Sequence, residues 1–319
     1  MEVVVLGCGP SSSVPSIRCL LTRSCHICTE AHENPHSKNR RLNPSILVKL
    51  VDANKSILID CGKTFRESVL RVFPQINVDA VDAIVLTHGH ADACLGLDDL
   101  REVQPYEERF DPVTNESLKV PPAALVVHCC PNTKKDVEEK FAYLIEKPAP
   151  PAPSGAPVAF RWIAQLRLQV FEAFASFGVC NDRIKFTPLP VIHGADYTSF
   201  GFEFGAEFGA RFVYISDVSE VTDVTRAYLT DASRPAIDVL LIDALYVEKY
   251  HSTHMNLQAV LQEIRIIRPK RTVLTGMSHD FDYYKTNVEL QQYEAQEGLV
   301  VEMAFDGMRM AFPSADTTA

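Results

Sequence analysis

The residues best suited to do chemistry lie in the segment Leu86-Thr87-His88-Gly89-His90-Ala91-Asp92-Ala93. Two histidines two apart, and an aspartate two further on, follow the apolar run Ala83-Ile84-Val85-Leu86, which reads as a buried strand. Neutral imidazole and carboxylate are preferred ligands for zinc and similar divalent ions. Alternate residues at a strand exit can converge on one point, so H-x-H-x-D is a metal-site signature. Similar residues close other apolar runs: Asp60 follows Ile57-Leu58-Ile59, His193 follows Pro190-Val191-Ile192, and Asp217 follows Tyr214-Ile215-Ser216. One such residue alone is an ordinary turn former. Several strand ends carrying only His and Asp point instead to a shared centre. Cys19, Cys25 and Cys28 form a second group. Three cysteines in ten residues favour a closed structural zinc site over redox chemistry or buried free thiols.

The elements that must position these residues alternate along the chain. Strands are predicted near Val3–Leu6, Ser45–Leu50, Ser56–Asp60, Ala83–Leu86 and Ala124–His128, and amphipathic helices near Thr64–Phe73, Leu95–Val103 and Thr133–Ile145. In the second half, strands are predicted near Ile184–Val191, Ser199–Phe204, Arg211–Ile215, Asp238–Ile242, Thr272–Leu274, Leu299–Phe305 and Met308–Phe312. Helices are predicted near Glu220–Leu229, Leu257–Ile267 and Lys285–Glu297, with Pro269 stopping the middle one. Residues 147–157 are a Pro/Ala-rich surface loop by composition, and the tail 314–319 reads as frayed. Two halves of strands and helices imply an α/β four-layer αββα sandwich. One domain over residues 1–319 is expected, with an insertion at about 105–182.

Composition narrows the class. The chain has 319 residues, 46% hydrophobic and 23% charged, as in ordinary globular proteins. Its apolar runs fall far short of the roughly 18 residues a membrane span needs, and its start reads directly into a strand, without a basic n-region. A net charge of −10 disfavours a broad nucleic-acid surface. Nine cysteines without a secretory signal imply thiols and metal ligands in a cytoplasmic setting.

The series D-C-G at 60–62, T-H-x-H-x-D at 87–92, H-G at 193–194 and S-D at 216–217 resembles the metallo-β-lactamase fold superfamily. The Gly-rich start Leu6–Pro15, Cys25-His26-Ile27-Cys28, Asn39–Leu47, Thr253-His254, Met277-Ser278-His279 and Phe305-Asp306-Gly307-Met308 narrow the likeness. They are similar to the branch containing the cyclic phosphodiesterase of bacterial phosphonate breakdown; tRNA 3′-processing endonucleases are a more distant branch. The resemblance implies a first metal on His88, His90 and His193, with Asp217 bridging to a second. The second metal normally takes the Asp of H-x-H-x-D-H, the histidine after it, and the first histidine of T-H-x-S-H. Here Asp92 is kept, but Ala93 and Gly276 stand at the two imidazole positions. Both departures strip the same metal, so a mononuclear or very asymmetric centre is expected, holding zinc or a harder ion such as manganese. The resemblance also makes His279 the fourth ligand of the cysteine cluster and His254 the general acid. Asp60 and Asp243 are expected to orient these groups from behind.

The expected function is a metal-dependent hydrolase acting on a small-molecule or nucleotide-like phosphodiester. A metal-generated hydroxide attacks, Asp92 orients the water or takes its proton, and His254 protonates the leaving oxygen. Lys38, Arg40 or Arg41 are expected to meet the developing charge. A thioester or lactone hydrolase, or a non-catalytic metal-binding scaffold on the same fold, are the alternatives. Nucleic acid is disfavoured as a partner, and a homodimer is compatible with the sequence.

Overall fold

The computed structural model describes residues 1–111, 115–120, 123–146 and 164–312; the stretch 147–157 and the tail 314–319 lie outside the described residues. The chain opens with β1 (Glu2–Gly7), short helices α1 (Ile17–Thr22) and α2 (His26–Glu33), then β2 (Ser45–Leu50) and β3 (Lys55–Ile59). Helix α3 (Phe65–Ile76), β4 (Ala83–Val85) and the single turn α4 (Ala91–Cys94) follow. Next come β5 (Glu107–Asp111), β6 (Glu116–Val120), β7 (Leu125–Cys129), α5 (Pro131–Lys140) and β8 (Leu166–Val170). The second half holds β9 (Phe177–Val179), β10 (Ile184–Ile192), β11 (Thr198–Phe204), β12 (Phe212–Ile215), α6 (Asp223–Leu229) and β13 (Val239–Asp243). It closes with α7 (Leu257–Ile267), β14 (Thr272–Thr275), α8 (Tyr283–Glu297), β15 (Val301–Met303) and β16 (Arg309–Ala311).

Alternation along the strands builds the layers. Val3, Val5, Ile46, Val48, Ile57 and Ile59 join the core shared with the second half of the chain, which includes Phe186, Phe202 and Phe212. Their neighbours Val4, Leu6, Leu47 and Leu58 turn the other way, onto Phe65, Val72, Phe73 and Ile76 of α3. A period of two thus serves an inner and an outer core at once. One sheet has the order β16-β1-β2-β3-β4-β7-β8 and the other β15-β14-β13-β12-β11-β10-β9. These two mixed sheets, flanked by helices, are the expected α/β sandwich. β12, β13, β14 and β15 run parallel, with α6, α7 and α8 as the connections that parallel pairing requires.

Some predicted elements changed. The helix expected near Leu95–Val103 is a 3₁₀ segment over Leu97–Glu102, and the one expected over Thr133–Ile145 is shorter, Pro131–Lys140, started by a proline at its first turn. Within residues 105–182, β7 and β8 extend the first sheet, while β5 and β6 form a separate hairpin. Sequence periodicity had not separated β5, β6, β8 or β9, nor the short helices α1 and α2.

Candidate metal centre

Strand ends deliver the donors to one rim. His88 and His90 leave β4, and Asp92 sits on α4. His193 follows β10 and Asp217 follows β12, while Asp243 ends β13 and Gly276 follows β14. Ligand sites of open α/β sheets form at such carboxyl ends. Gly62 lets the loop after β3 close on this rim, because a Cβ there would lie 1.9 Å from the Asp92 carbonyl oxygen.

Donor atoms of His88, His90 and His193 lie within 4.8 Å of one another, and so do those of His193, Asp217 and His254. The Nε2 of His193 is 3.9 Å from Asp217 Oδ1, and that of His88 is 3.9 Å from Asp92 Oδ1. The other nitrogens are engaged. His88 Nδ1 lies 2.8 Å from Thr87 Oγ1, and His193 Nδ1 donates to the Thr253 carbonyl at 2.8 Å. That leaves each Nε2 facing the centre, and His88 Nε2 is buried without a hydrogen-bond partner. A buried, unpartnered imidazole nitrogen is costly unless something binds it, so this donor set fits a divalent cation. Burial pushes His88 down to about 3, keeping it neutral and able to ligate. Burial raises Asp217, but the imidazoles of His88, His254 and His193 outweigh it and lower its pKa.

The donor set thins toward the second position. Burial, with the charge of Asp217, pushes Asp92 up to about 6. Among the described residues Asp92 belongs to none of the three-donor clusters. Ala93 is buried, and its carbonyl accepts from Cys61 N at 2.7 Å. Gly276 has φ of +68°, and a Cβ there would lie 2.1 Å from Asp243 Oδ1. The position where the resemblance expects an imidazole is therefore filled from behind by Asp243, whose Oδ1 is buried without a partner.

The other oxygen of Asp243 lies 2.6 Å from His254 Nδ1. Burial opposes charge on His254, yet Asp243, Asp217 and Asp92 prevail and push it up to about 9. Asp60 sits behind the H-x-H loop: its carboxylate accepts from Thr87 N at 2.9 Å and from Thr87 Oγ1 at 2.9 and 3.0 Å. Thr87 and Thr253 stand in the motifs T-H-x-H-x-D and Thr253-His254, but sequence reasoning assigned neither a role. The available signal was that each immediately precedes a site histidine.

The cysteine cluster is also assembled. Cys19, Cys25, Cys28 and His279 have donor atoms within 4.8 Å of one another. Cys25 Sγ lies 3.3 Å from His279 Nδ1 and Cys19 Sγ 3.6 Å from it. All nine cysteines are free thiols.

The basic residues expected to face substrate are committed elsewhere. Arg41 is fully buried and donates to the carbonyls of Ser278 and Phe281 at 2.8 Å each. Arg40 pairs with Glu67 at 2.6 Å, and the Lys38 ammonium lies 4.0 Å from the Phe305 ring centre. Two lysines that no local pattern marked stand beside the donors, Lys63 acting on Asp92 and Lys140 on His90. Lys63 Nζ donates to Ser11 Oγ at 3.3 Å, beside Asp92, and Lys140 Nζ donates to the Gly89 carbonyl at 2.9 Å, beside His90.

The β-lactamase superfamily domain matches residues 55–277, and the chain belongs to that family, with the metallo-β-lactamase fold. Among solved structures, a diphosphatase of the PhnP family is 28% identical, with a TM-score of 0.71 over 98% of each chain. Zinc-bound PqqB from Methylobacterium extorquens is 18% identical, with a TM-score of 0.69 over 98% of this chain and all of that one. The short form of human tRNase Z is 17% identical, with a TM-score of 0.57 over the same shares. The last two share the fold. An octanoyltransferase of Porphyromonas gingivalis is 26% identical over 290 residues, 91% of this chain and 48% of that protein. The chain thus spans about half the length of that curated relative. The family is one of metal-dependent hydrolases, and among the described residues no helix is long and apolar enough to cross a membrane.

Proposed function

We propose that the protein is a phosphodiesterase with one strong metal position, held by His88, His90, His193 and Asp217. His254 is its proton donor. The observation that carries this reading is the His254–Asp243 contact of 2.6 Å at the edge of the donor cluster. Asp243 fixes the ring, its negative charge keeps the imidazole protonated, and the opposite nitrogen is left for a leaving oxygen. A diphosphatase of the PhnP family, similar along nearly its whole length, supports a phosphate ester as substrate. A divalent ion bound there supplies Lewis acidity and acidifies water. Thr87 and the Thr253 carbonyl hold two imidazoles in the ligating tautomer. Asp92 orients the attacking water and takes its proton. The water oxygen bonds to phosphorus, the ester P–O bond breaks, and the His254 proton ends on the departing alcohol. Lys63 and Lys140 offset the phosphate charge in place of Lys38, Arg40 and Arg41.

On this reading zinc is the resident ion, and a second, structural zinc joins Cys19, Cys25, Cys28 and His279. Both belong to one domain over residues 1–319, in a reducing, cytoplasmic setting that suits nine free thiols. Nucleotide-like diesters fit the site better than long nucleic acids, given the net charge of −10. Protein loaded with zinc or manganese is expected to hydrolyse bis(p-nitrophenyl) phosphate and to leave thioester and lactone panels untouched. Turnover confined to thioesters or lactones overturns the substrate class, and no turnover on any panel supports a scaffold.

One observation favours a second reading of His254. Its ring lies within reach of His193 and Asp217, so it can serve as a ligand. Metal content decides between them: His254→Ala keeps the ion if the residue is an acid and loses it if it is a ligand.

A further inference from the structure

A cavity of about 530 Å³ opens beside His254, walled by Glu220, Tyr250, His251, Ser252 and Asn256 among others. Its wall is stapled to the metal centre. Ser219 N and Glu220 N both donate to the Ile192 carbonyl, at 2.7 and 3.3 Å, at the end of the strand that delivers His193. Met255 N donates to the Val218 carbonyl at 2.8 Å, joining the His254 loop to the same edge. Glu220 and the His254 loop are therefore held side by side by backbone bonds.

Several polar groups of the wall are already committed. Ser219 Oγ accepts from Gly194 N and donates to the Ile192 carbonyl. The Asn256 amide donates to the Glu248 carbonyl, and its oxygen caps Ala259 N. His251 Nδ1 accepts from Thr253 Oγ1 at 3.0 Å. What remains for a ligand is the exposed Glu220 carboxylate, the Ser252 hydroxyl, the second His251 nitrogen and the Tyr250 ring, 86% exposed at the mouth. Among the described residues no lysine or arginine lines the cavity. The two ammonium groups near the centre, Lys63 and Lys140, stand beside Asp92 and His90 instead. The H-x-H-x-D loop thus has ammonium groups beside it, together with the Asp136 carboxylate at Gly89, whereas the cavity wall beside His254 carries the Glu220 carboxylate and, among the described residues, no cation.

We propose that this cavity receives the leaving alcohol and that Glu220 sets its specificity. The favoured alcohol carries a planar ring, for Tyr250, and a neutral or cationic hydrogen-bond donor, for Glu220. Anionic leaving groups are rejected. The proposal rests on the phosphodiesterase reading, since it assigns the group that His254 protonates.

The test compares three methyl aryl phosphates, whose phenol carries a para aminomethyl, a para carboxylate or no substituent. They are assayed with the metal-loaded wild type, Glu220→Gln and Glu220→Lys. Each kcat/KM is divided by that of the unsubstituted ester, so a general loss of activity or folding cancels. The preference for aminomethyl over carboxylate is expected to shrink about tenfold in Glu220→Gln, the scale of one charge interaction near a surface, and to invert in Glu220→Lys. An unchanged preference in both variants overturns the assignment of the cavity. Failure of the wild type to cleave any of the three overturns the phosphodiesterase reading, and the assignment falls with it.

Discussion

The histidine–aspartate centre and the cysteine cluster differ in how much of the fold stands behind them. His88, His193 and Asp217 leave strands whose cores are buried on both faces, and each is 5% exposed or less. The second nitrogens of the two histidines are already tied down by Thr87, with Asp60 further back, and by the Thr253 carbonyl. The cysteines instead sit on or beside two short helices over a small core of Val14, Cys19, Ile27, Cys28 and Ala31. His279, from the loop after β14, reaches them from the second half of the chain. The first site is organised by the fold. On the proposed reading the second organises the fold, because an ion held there would join an N-terminal loop to the loop after β14.

Breaking the first site should abolish activity while leaving the fold in place. His88→Ala or Asp217→Ala is expected to lower kcat/KM by at least about 10³-fold, because the ion's Lewis acidity is lost. His254→Ala should cost about 10²–10³-fold, and Asp243→Asn, one contact further back, about tenfold. Circular dichroism and the cysteine-bound ion should be retained in all four. Loss of both ions from His88→Ala would show that the two sites are not independent.

The converse variant attacks the second site. Cys25→Ser is expected to remove one ion per chain and to cost about 2–5 kcal/mol of stability, read from urea unfolding. Its kcat at a temperature where it stays folded should be close to wild type. A large loss of kcat with stability unchanged would collapse the distinction.

His128 sharpens the comparison from within the first sheet, as an imidazole buried outside the donor clusters of the described residues. It stacks on Phe177 with ring centres 4.7 Å apart, and burial pushes its pKa down to about 4 from an ordinary 6.5. The unfolded chain therefore binds the proton more readily between those values. Stability from the neutral ring is complete above pH 6.5 and drains away as pH falls toward 4, by roughly 3 kcal/mol at most. His128→Phe should flatten that part of the pH–stability curve, and an unchanged curve would refute the assignment. The smallest effect concerns the rim: Lys63→Ala should raise KM for a diester about three- to tenfold, the scale of one exposed charge, with metal content unaltered.

Much of this was legible in the residues. Strands such as Val3–Leu6 and Val239–Ile242 were readable because alternation or continuous apolarity is a local signal of burial. The short strand Phe177–Val179 and the helices near the cysteines were not, because segments of 3, 6 and 8 residues are too short to show a period. Lys38, Arg40 and Arg41 illustrate the limit. A basic run beside a Gly-rich start is chemically suited to phosphate, yet Arg41 spends its donors on the Ser278 and Phe281 carbonyls.

By itself, the sequence determined the donor types, their places at strand ends, and the absence of imidazole at Ala93 and Gly276. These follow from residue identity and from patterns that repeat within a few positions. Only the tertiary structure decided which charges face the centre. Asp243 fills the space behind Gly276, Lys63 and Lys140 stand at one rim, and Glu220 stands at the other. Contacts between residues far apart in the chain depend on how two sheets pack and where their edges meet, and no local spacing encodes that distance.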